Sequence, residues 1–166
     1  MEAHDERLSL DLDAAAAFDK ILAVLPLKNY VAGETVLMPE LKTGRLLILK
    51  WGAVVVLKDS IEIARVEHPG AVFGELSALL DQPHAAEVRA VKDSQFYVAE
   101  AVLLKKDPIV LLHVARILAQ RLVKANWGLV ELEKQIQAGR PPSALKKMIE
   151  NLFRDQHGLR QHIRPL

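Results

Sequence analysis

The residues whose types and spacing could do chemistry lie close together, in the stretch FGELSALLDQPHAAEV from Phe73 to Val88. A Gly74-Glu75 step opens a short apolar helical turn, and Pro83-His84-Ala85-Ala86 leads into what reads as a strand. Small residues beside lone polar ones suggest a backbone cradle for a bound group, because glycine lets the main chain approach a ligand closely. His84 stands where a cradle for an anion wants a permanent positive charge, yet a histidine with its ordinary pKa of about 6.5 is mostly neutral at pH 7. This is chemistry of binding. The carboxylates elsewhere are scattered, and no Ser/His/Asp, metal-ligand or P-loop pattern appears, so no catalytic residue, metal site or enzyme is read. The absence of cysteine excludes disulfides, thiol redox chemistry and cysteine-based zinc or iron–sulfur sites.

The elements that must position this stretch can be read from its flanks. Ala14 to Leu25 (AAAAFDKILAVL) predicts a helix with Phe18, Ile21, Leu22 and Leu25 on one face, ended by Pro26. From Lys28 the pattern changes to short runs rich in Val, Ile and Leu: KNYVAGETVL, RLLILKWG, AVVVLKD, SIEIARV, EVRAV and QFYVAE. Glycine, proline and Asp59-Ser60 break them at intervals that suit an all-β sandwich or barrel. AVVVL and SIEIARV predict a hairpin turning at Lys58-Asp59-Ser60.

Helical pattern resumes at Asp107, a suitable N-cap with Pro108 in the first turn, and runs to about Gln137. Within it Leu118, Leu122, Ala125, Leu129, Leu132 and Ile136 recur at spacings of four and three, a heptad seam. Leu111, Leu112, Val114, Ile117, Val123, Trp127 and Val130 put apolar residues on further faces. One face is therefore expected to lie on the β-region while the seam meets a second copy, although a helix packed on its own domain also shows an apolar stripe. Gly139 and Pro141-Pro142 stop the helix, and Ser143 caps an amphipathic segment with Leu145, Met148, Ile149, Leu152 and Phe153 on one side.

At 166 residues with 51% hydrophobic and 26% charged positions, the chain suits one soluble domain with extensions. A net charge of +1 argues against a strong overall field for nucleic acid. The acidic start MEAHDERLSLDLD lacks the apolar core of a signal peptide, and no apolar run reaches the roughly 18 residues a membrane span needs. A cytoplasmic protein without membrane contact is the expectation. The acidic beginning and the basic end (Arg140, Lys146, Lys147, Arg154, Arg160, Arg164) read either as two solvated ends or as a tail that docks on a partner protein.

Taken in order, the helix, short strands and long helix resemble the cyclic-nucleotide-binding domain shared by catabolite-activator-type regulators, kinase regulatory subunits and nucleotide-gated channels, from about Ala14 to Gln137. YVAGETV looks like the family's opening strand with its Gly-Glu turn. Gly52 before AVVVL matches the glycine of the next hairpin, and HPGAVFGELSALLDQPHAAEVRA matches the phosphate-binding cassette. The fold this implies is α+β: a double-stranded antiparallel β-roll, jelly-roll-like, with an N-terminal helix and long C-terminal helices. The expected organisation is a cyclic-nucleotide-binding-like domain over 1–137 (helix 14–25, β-roll 28–99, helices 107–137) and a basic C-terminal extension over 138–166 with one amphipathic helix.

The resemblance implies a ligand, cAMP or cGMP, held by Phe73, Gly74, Glu75, Leu76, Ser77, Pro83, His84, Ala85 and Ala86. Gly74 allows a close approach, and the amides of Leu76 and Ser77 at a helix start suit an anion. Glu75 would hold the ribose 2′-OH, and Ala85 would bring its amide to the phosphate. Leu76, Leu79 and Leu80 read as core side chains. Asn126 and Trp127 on the long helix are candidates to cover the base, Trp127 by stacking.

At position 84 the nucleotide-binding members usually carry arginine, a permanent charge with a rigid fork of donors. Losing such a pair typically costs roughly 2–3 kcal/mol, about two orders of magnitude in affinity. Arg89 falls on the opposite strand face and is no replacement. His84 is then a weaker, pH-sensitive phosphate ligand, a relic in a roll that no longer binds nucleotide, or a contact to another ligand such as haem. His113 and His157 read as structural or solvated.

The residues after Pro142 are too few for the winged helix-turn-helix of the family's transcription factors, so sequence-specific DNA reading is not expected. The function this reading predicts is a regulatory or sensor protein acting by ligand-dependent helix rearrangement and protein contact, and as a homodimer. The alternative is a degenerate domain serving as a dimerisation or scaffold module.

Overall fold

The computed structural model describes residues 15–138. Two four-stranded antiparallel sheets face each other, one in the order β1-β8-β3-β6 and the other β2-β7-β4-β5. The strands are β1 (Leu27–Tyr30), β2 (Thr35–Leu37), β3 (Arg45–Trp51), β4 (Val54–Lys58), β5 (Ile61–Val66), β6 (Val72–Phe73), β7 (Glu87–Ala90) and β8 (Ser94–Glu100). Among the described residues four helices accompany them: α1 over residues 15–23, α2 (Glu75–Leu80), α3 (Val102–Lys106) and α4 (Pro108–Gln137). This is the β-roll with an N-terminal helix and a long C-terminal helix.

Why RLLILKW is a continuous apolar run, with no polar alternation, follows from its place. Leu47 and Leu49 point into the roll with Val54, Val66, Val88 and Phe96. Leu46 and Ile48, on the opposite face, pack with Phe18 of α1, Leu104 of α3 and Val110 and Val114 of α4. A strand covered on both faces has no solvent side to mark with polar residues. The helices thus form a third layer against the first sheet, while the second sheet has its inner face on the roll.

The β4–β5 hairpin turns through Asp59 and Ser60, both with positive φ (50° and 65°), between the paired Lys58 and Ile61. Two consecutive left-handed residues match the twist of the flanking strands. Gly52, with φ 115°, sits so close to Ser94 that a Cβ would lie 2.2 Å from the hydroxyl oxygen. That hydroxyl accepts from the Ala53 amide and donates to the Lys92 carbonyl, locking the β3–β4 turn to the start of β8.

Several details differ from the sequence reading. Helix α1 gives way at Val24 to bonds from Val24 and Leu25 back to Ile21 and Leu22, a tightened turn before Pro26. The strands run from Leu27 to Glu100 and not from 28 to 99, because Leu27 pairs with Tyr97 and Arg45 with Glu100. Helix α3 was missed; five residues are too few for a periodicity to declare itself, and the fully buried Leu104 holds it in place. Leu76, Leu79 and Leu80 are not core but exposed, because α2 lies on the surface with Glu75 and Ser77 turned inward. Leu118 packs against the helical core cluster of its own domain, so the heptad seam begins inside the fold. The C-terminal extension, apart from Ala138, lies outside the described residues, as does His157.

Candidate functional site

The cassette is built on a backbone that only glycine accommodates. Gly74 follows β6 with φ 85°, and a Cβ there would lie 2.6 Å from the Arg45 carbonyl oxygen. The chain turns directly into α2, whose first residue, Glu75, is buried. Asp81 closes α2 in a left-handed conformation, with its amide bonded to the Ser77 carbonyl. The Ser77 hydroxyl donates to the Gln82 carbonyl. The Lys42 ammonium lies 2.6 Å from Asp81 and holds that carboxyl below its ordinary range.

His84 is buried and doubly anchored. Its amide donates to the Leu41 carbonyl at 2.9 Å, and its carbonyl accepts from the Glu40 amide at 3.1 Å. Its Nε2 is 2.9 Å from the Thr43 hydroxyl. Burial pushes the imidazole below its usual pKa of 6.5, so it is uncharged at neutral pH. Arg89 is occupied elsewhere, with Nε 2.8 Å from a Glu87 carboxylate oxygen on the exposed side of β7.

These segments enclose a cavity of about 280 Å³, near the lower end of the roughly 300–1,000 Å³ usual for small-molecule sites. Its walls are apolar: Leu37, Val56, Ile63, Val66, Val72 and Val88. Of the residues singled out from sequence, Phe73, Gly74, Glu75, Leu76, Ser77, His84, Ala85 and Ala86 line it. Pro83 does not, although the residue after it does. Asn126 and Trp127 also lie outside the lining; both are exposed on α4, with Trp127 71% accessible.

Two cationic side chains of the lining escaped the sequence reading: Arg121 of α4 and Lys58 of β4. The Arg121 guanidinium forms an ion pair with the Glu75 carboxylate, their side chains 19% and 6% accessible, and donates from Nη2 to the Val72 carbonyl at 3.0 Å. A charged pair so enclosed is sensitive, since removing one partner of a buried pair typically costs about 3–5 kcal/mol. The signal was present: Arg121 continues the inward stripe of Val110, Val114 and Ile117, a lone charge where an apolar residue was due. Lys58 likewise follows Val54 and Val56 on the inward face of β4. The described residues contain no group of His, Asp and Glu fit to hold a metal ion, and none of their helices is long and apolar enough to cross a membrane.

Comparison with known proteins addresses the same segment. The family model described as the cyclic nucleotide-binding domain matches residues 27–106. The fold is similar to that of the Thermus thermophilus catabolite activator protein, at 20% identity over 81% of this chain and 79% of that one, with a TM-score of 0.60. It is also similar to a cyclic nucleotide-binding domain from Methylobacillus flagellatus (26% identity, 60% of this chain, 63% of that one, TM-score 0.55). A third likeness is the regulatory domain of Toxoplasma gondii PKA with cAMP (21% identity, 55% and 38% covered, TM-score 0.50). The chain thus spans about four-fifths of the first and less than two-thirds of the other two. None of the curated proteins compared matches it. The segment that matches the family model of the cyclic nucleotide-binding domain, residues 27–106, holds the two-sheet roll and the cassette between β6 and β7.

Proposed function

We propose that this protein is a regulatory module that binds a cyclic nucleotide, cAMP or cGMP, in the cavity of the roll and answers by repositioning α4. The observation that carries this reading is the Arg121–Glu75 pair, which ties α4 to the cassette across the cavity. A ribose hydroxyl donating to Glu75 competes with Arg121 for the same carboxylate, so ligand and helix position are linked through one side chain. The ribose sits at Glu75, the phosphate faces Ala85 and His84, and Asn126 and Trp127 come over the base only when α4 moves. The protein works as a cytoplasmic homodimer through the outward seam of α4, and its basic tail contacts a partner protein.

A second reading is supported by His84, whose Nε2 is engaged with Thr43 and whose imidazole burial pushes below its ordinary pKa. In that case the roll is a scaffold and the cavity is degenerate. Calorimetric titration with cAMP and with cGMP at pH 6 and pH 8 separates the two. The sensor reading expects saturable heat that is tighter at pH 6 than at pH 8, because a bound phosphate favours the protonated form of His84 against the opposing effect of burial. Absence of heat at high micromolar nucleotide in the wild type, with binding restored by His84→Arg, establishes the scaffold reading instead.

A further inference from the structure

The cavity has three basic side chains, and two of them are already committed. His84 is bonded to Thr43, and Arg121 is bonded to Glu75 and to the Val72 carbonyl. Lys58 is in a different position. It closes β4 on the same face as Val54 and Val56 and lines the cavity. Its ion-pair contact is with the neighbouring Asp59 at 4.0 Å, where both side chains are more than half exposed. A contact that long and that solvated holds an ammonium only weakly.

The sheet register states where the Lys58 side chain emerges. In the β4–β7 ladder Val56 pairs with Val88 and Leu57 with Glu87. Continuing that register by one residue sets Lys58 opposite Ala86, and Ala86 also lines the cavity. Side chains directly opposite in an antiparallel pair lie on one face, with Cβ atoms roughly 4.5–5.5 Å apart. The lysine therefore rises beside the Pro83-His84-Ala85-Ala86 step, the part of the cassette whose own side chain brings no fixed charge. Its side chain lines the cavity and is 56% accessible, so the ammonium can stay at the wet edge, as long cationic side chains commonly do.

We propose that Lys58 is the anion-anchoring residue of this cavity, supplying from β4 the permanent positive charge that position 84 does not provide to a bound phosphate. The inference rests on the nucleotide-binding reading above and adds the residue that makes it electrostatically workable. A lysine is a point charge with rotatable donors where arginine offers a fixed fork. The site should accordingly hold its phosphate through charge more than through geometry, and be more sensitive to salt.

The test is calorimetric titration of the full chain with cAMP at pH 8, where His84 is neutral. Lys58→Met is expected to weaken binding about 10- to 100-fold, as loss of a charged hydrogen bond does. Lys58→Arg should recover most of that loss. Lys20→Met, which removes the same charge from the exposed face of α1, should shift the affinity less than about twofold. Thermal melts of each variant show whether the fold is retained, and wild-type affinity measured from about 50 to about 300 mM salt gives a second readout that needs no variant. A wild type that binds with no salt dependence, or a folded Lys58→Met within about threefold of wild type, overturns the role of Lys58 and leaves the nucleotide reading standing. A wild type that gives no heat overturns both.

Discussion

Burial sets the behaviour of two histidines, His84 and His113. His84 is held by Thr43 in the cassette. His113 of α4 stacks on Phe18 of α1 with ring centroids 3.8 Å apart and planes 16° from parallel. Its Nε2 is buried without a hydrogen-bond partner. Both imidazoles are pushed below 6.5, His84 by burial, and His113 by burial and then Arg116, against the opposing pull of Asp19. An unfolded histidine titrates near 6.5, so at lower pH the unfolded chain binds more protons than the folded one, and stability falls. Their contribution is complete above about pH 6.5 and is lost as pH drops toward the folded-state values. The melting temperature is expected to decline between about pH 7 and about pH 5, and a His84→Gln/His113→Phe double variant should flatten that decline. An unchanged slope would show that other groups govern acid sensitivity.

Helix α4 is the element through which the cavity reaches the rest of the molecule. It has 30 residues, about 45 Å at 1.5 Å per residue. Its first turns are the anchored part: the Asp107 carboxylate accepts from the amides of Ile109 and Val110, Pro108 needs no donor partner, and Val110 and Val114 are in the core. Asp107 also ends α3, so one residue terminates one helix and starts the next. Asp107→Ala is predicted to lower stability by about 0.5–2 kcal/mol in urea denaturation. A cost near zero would mean that packing alone sets the helix start. The cap and its proline were legible in the sequence because capping is local chemistry. The inward Arg121 was passed over because a helical pattern reports which face is buried and not what lies opposite it.

For the whole molecule, the apolar surface of α4 is what the fold leaves uncovered. Leu122, Leu129 and Ile136 are 62%, 64% and 65% accessible and lie beyond the part of the helix that packs on the roll. Exposed leucines recurring along one helix are the pattern of an interhelical contact. Sedimentation velocity of the full chain is expected to show a dimer, and a Leu122→Glu/Leu129→Glu variant a monomer with its melting transition retained. A monomeric wild type removes the dimer from the proposal. Because Leu118 is engaged with the domain's own core, the proposed contact between copies would start about one turn later than the heptad alone suggests.

Short apolar runs broken by glycine and by Asp59-Ser60, the Gly74-Glu75 step and the Asp107-Pro108 cap all act over a few residues. They were therefore readable from the chain, and with them the β-roll class and most of the cassette. What the tertiary structure decided depends on residues distant in sequence. It joined Glu75 to Arg121, held His84 against Thr43, brought Lys58 and the cassette into the lining of one cavity and turned the leucines of α2 outward. Local rules specify turns, caps and strand faces. Which charges share a buried space is settled only when two sheets and a helix close on one another, and that closure determines whether the cavity can hold an anion.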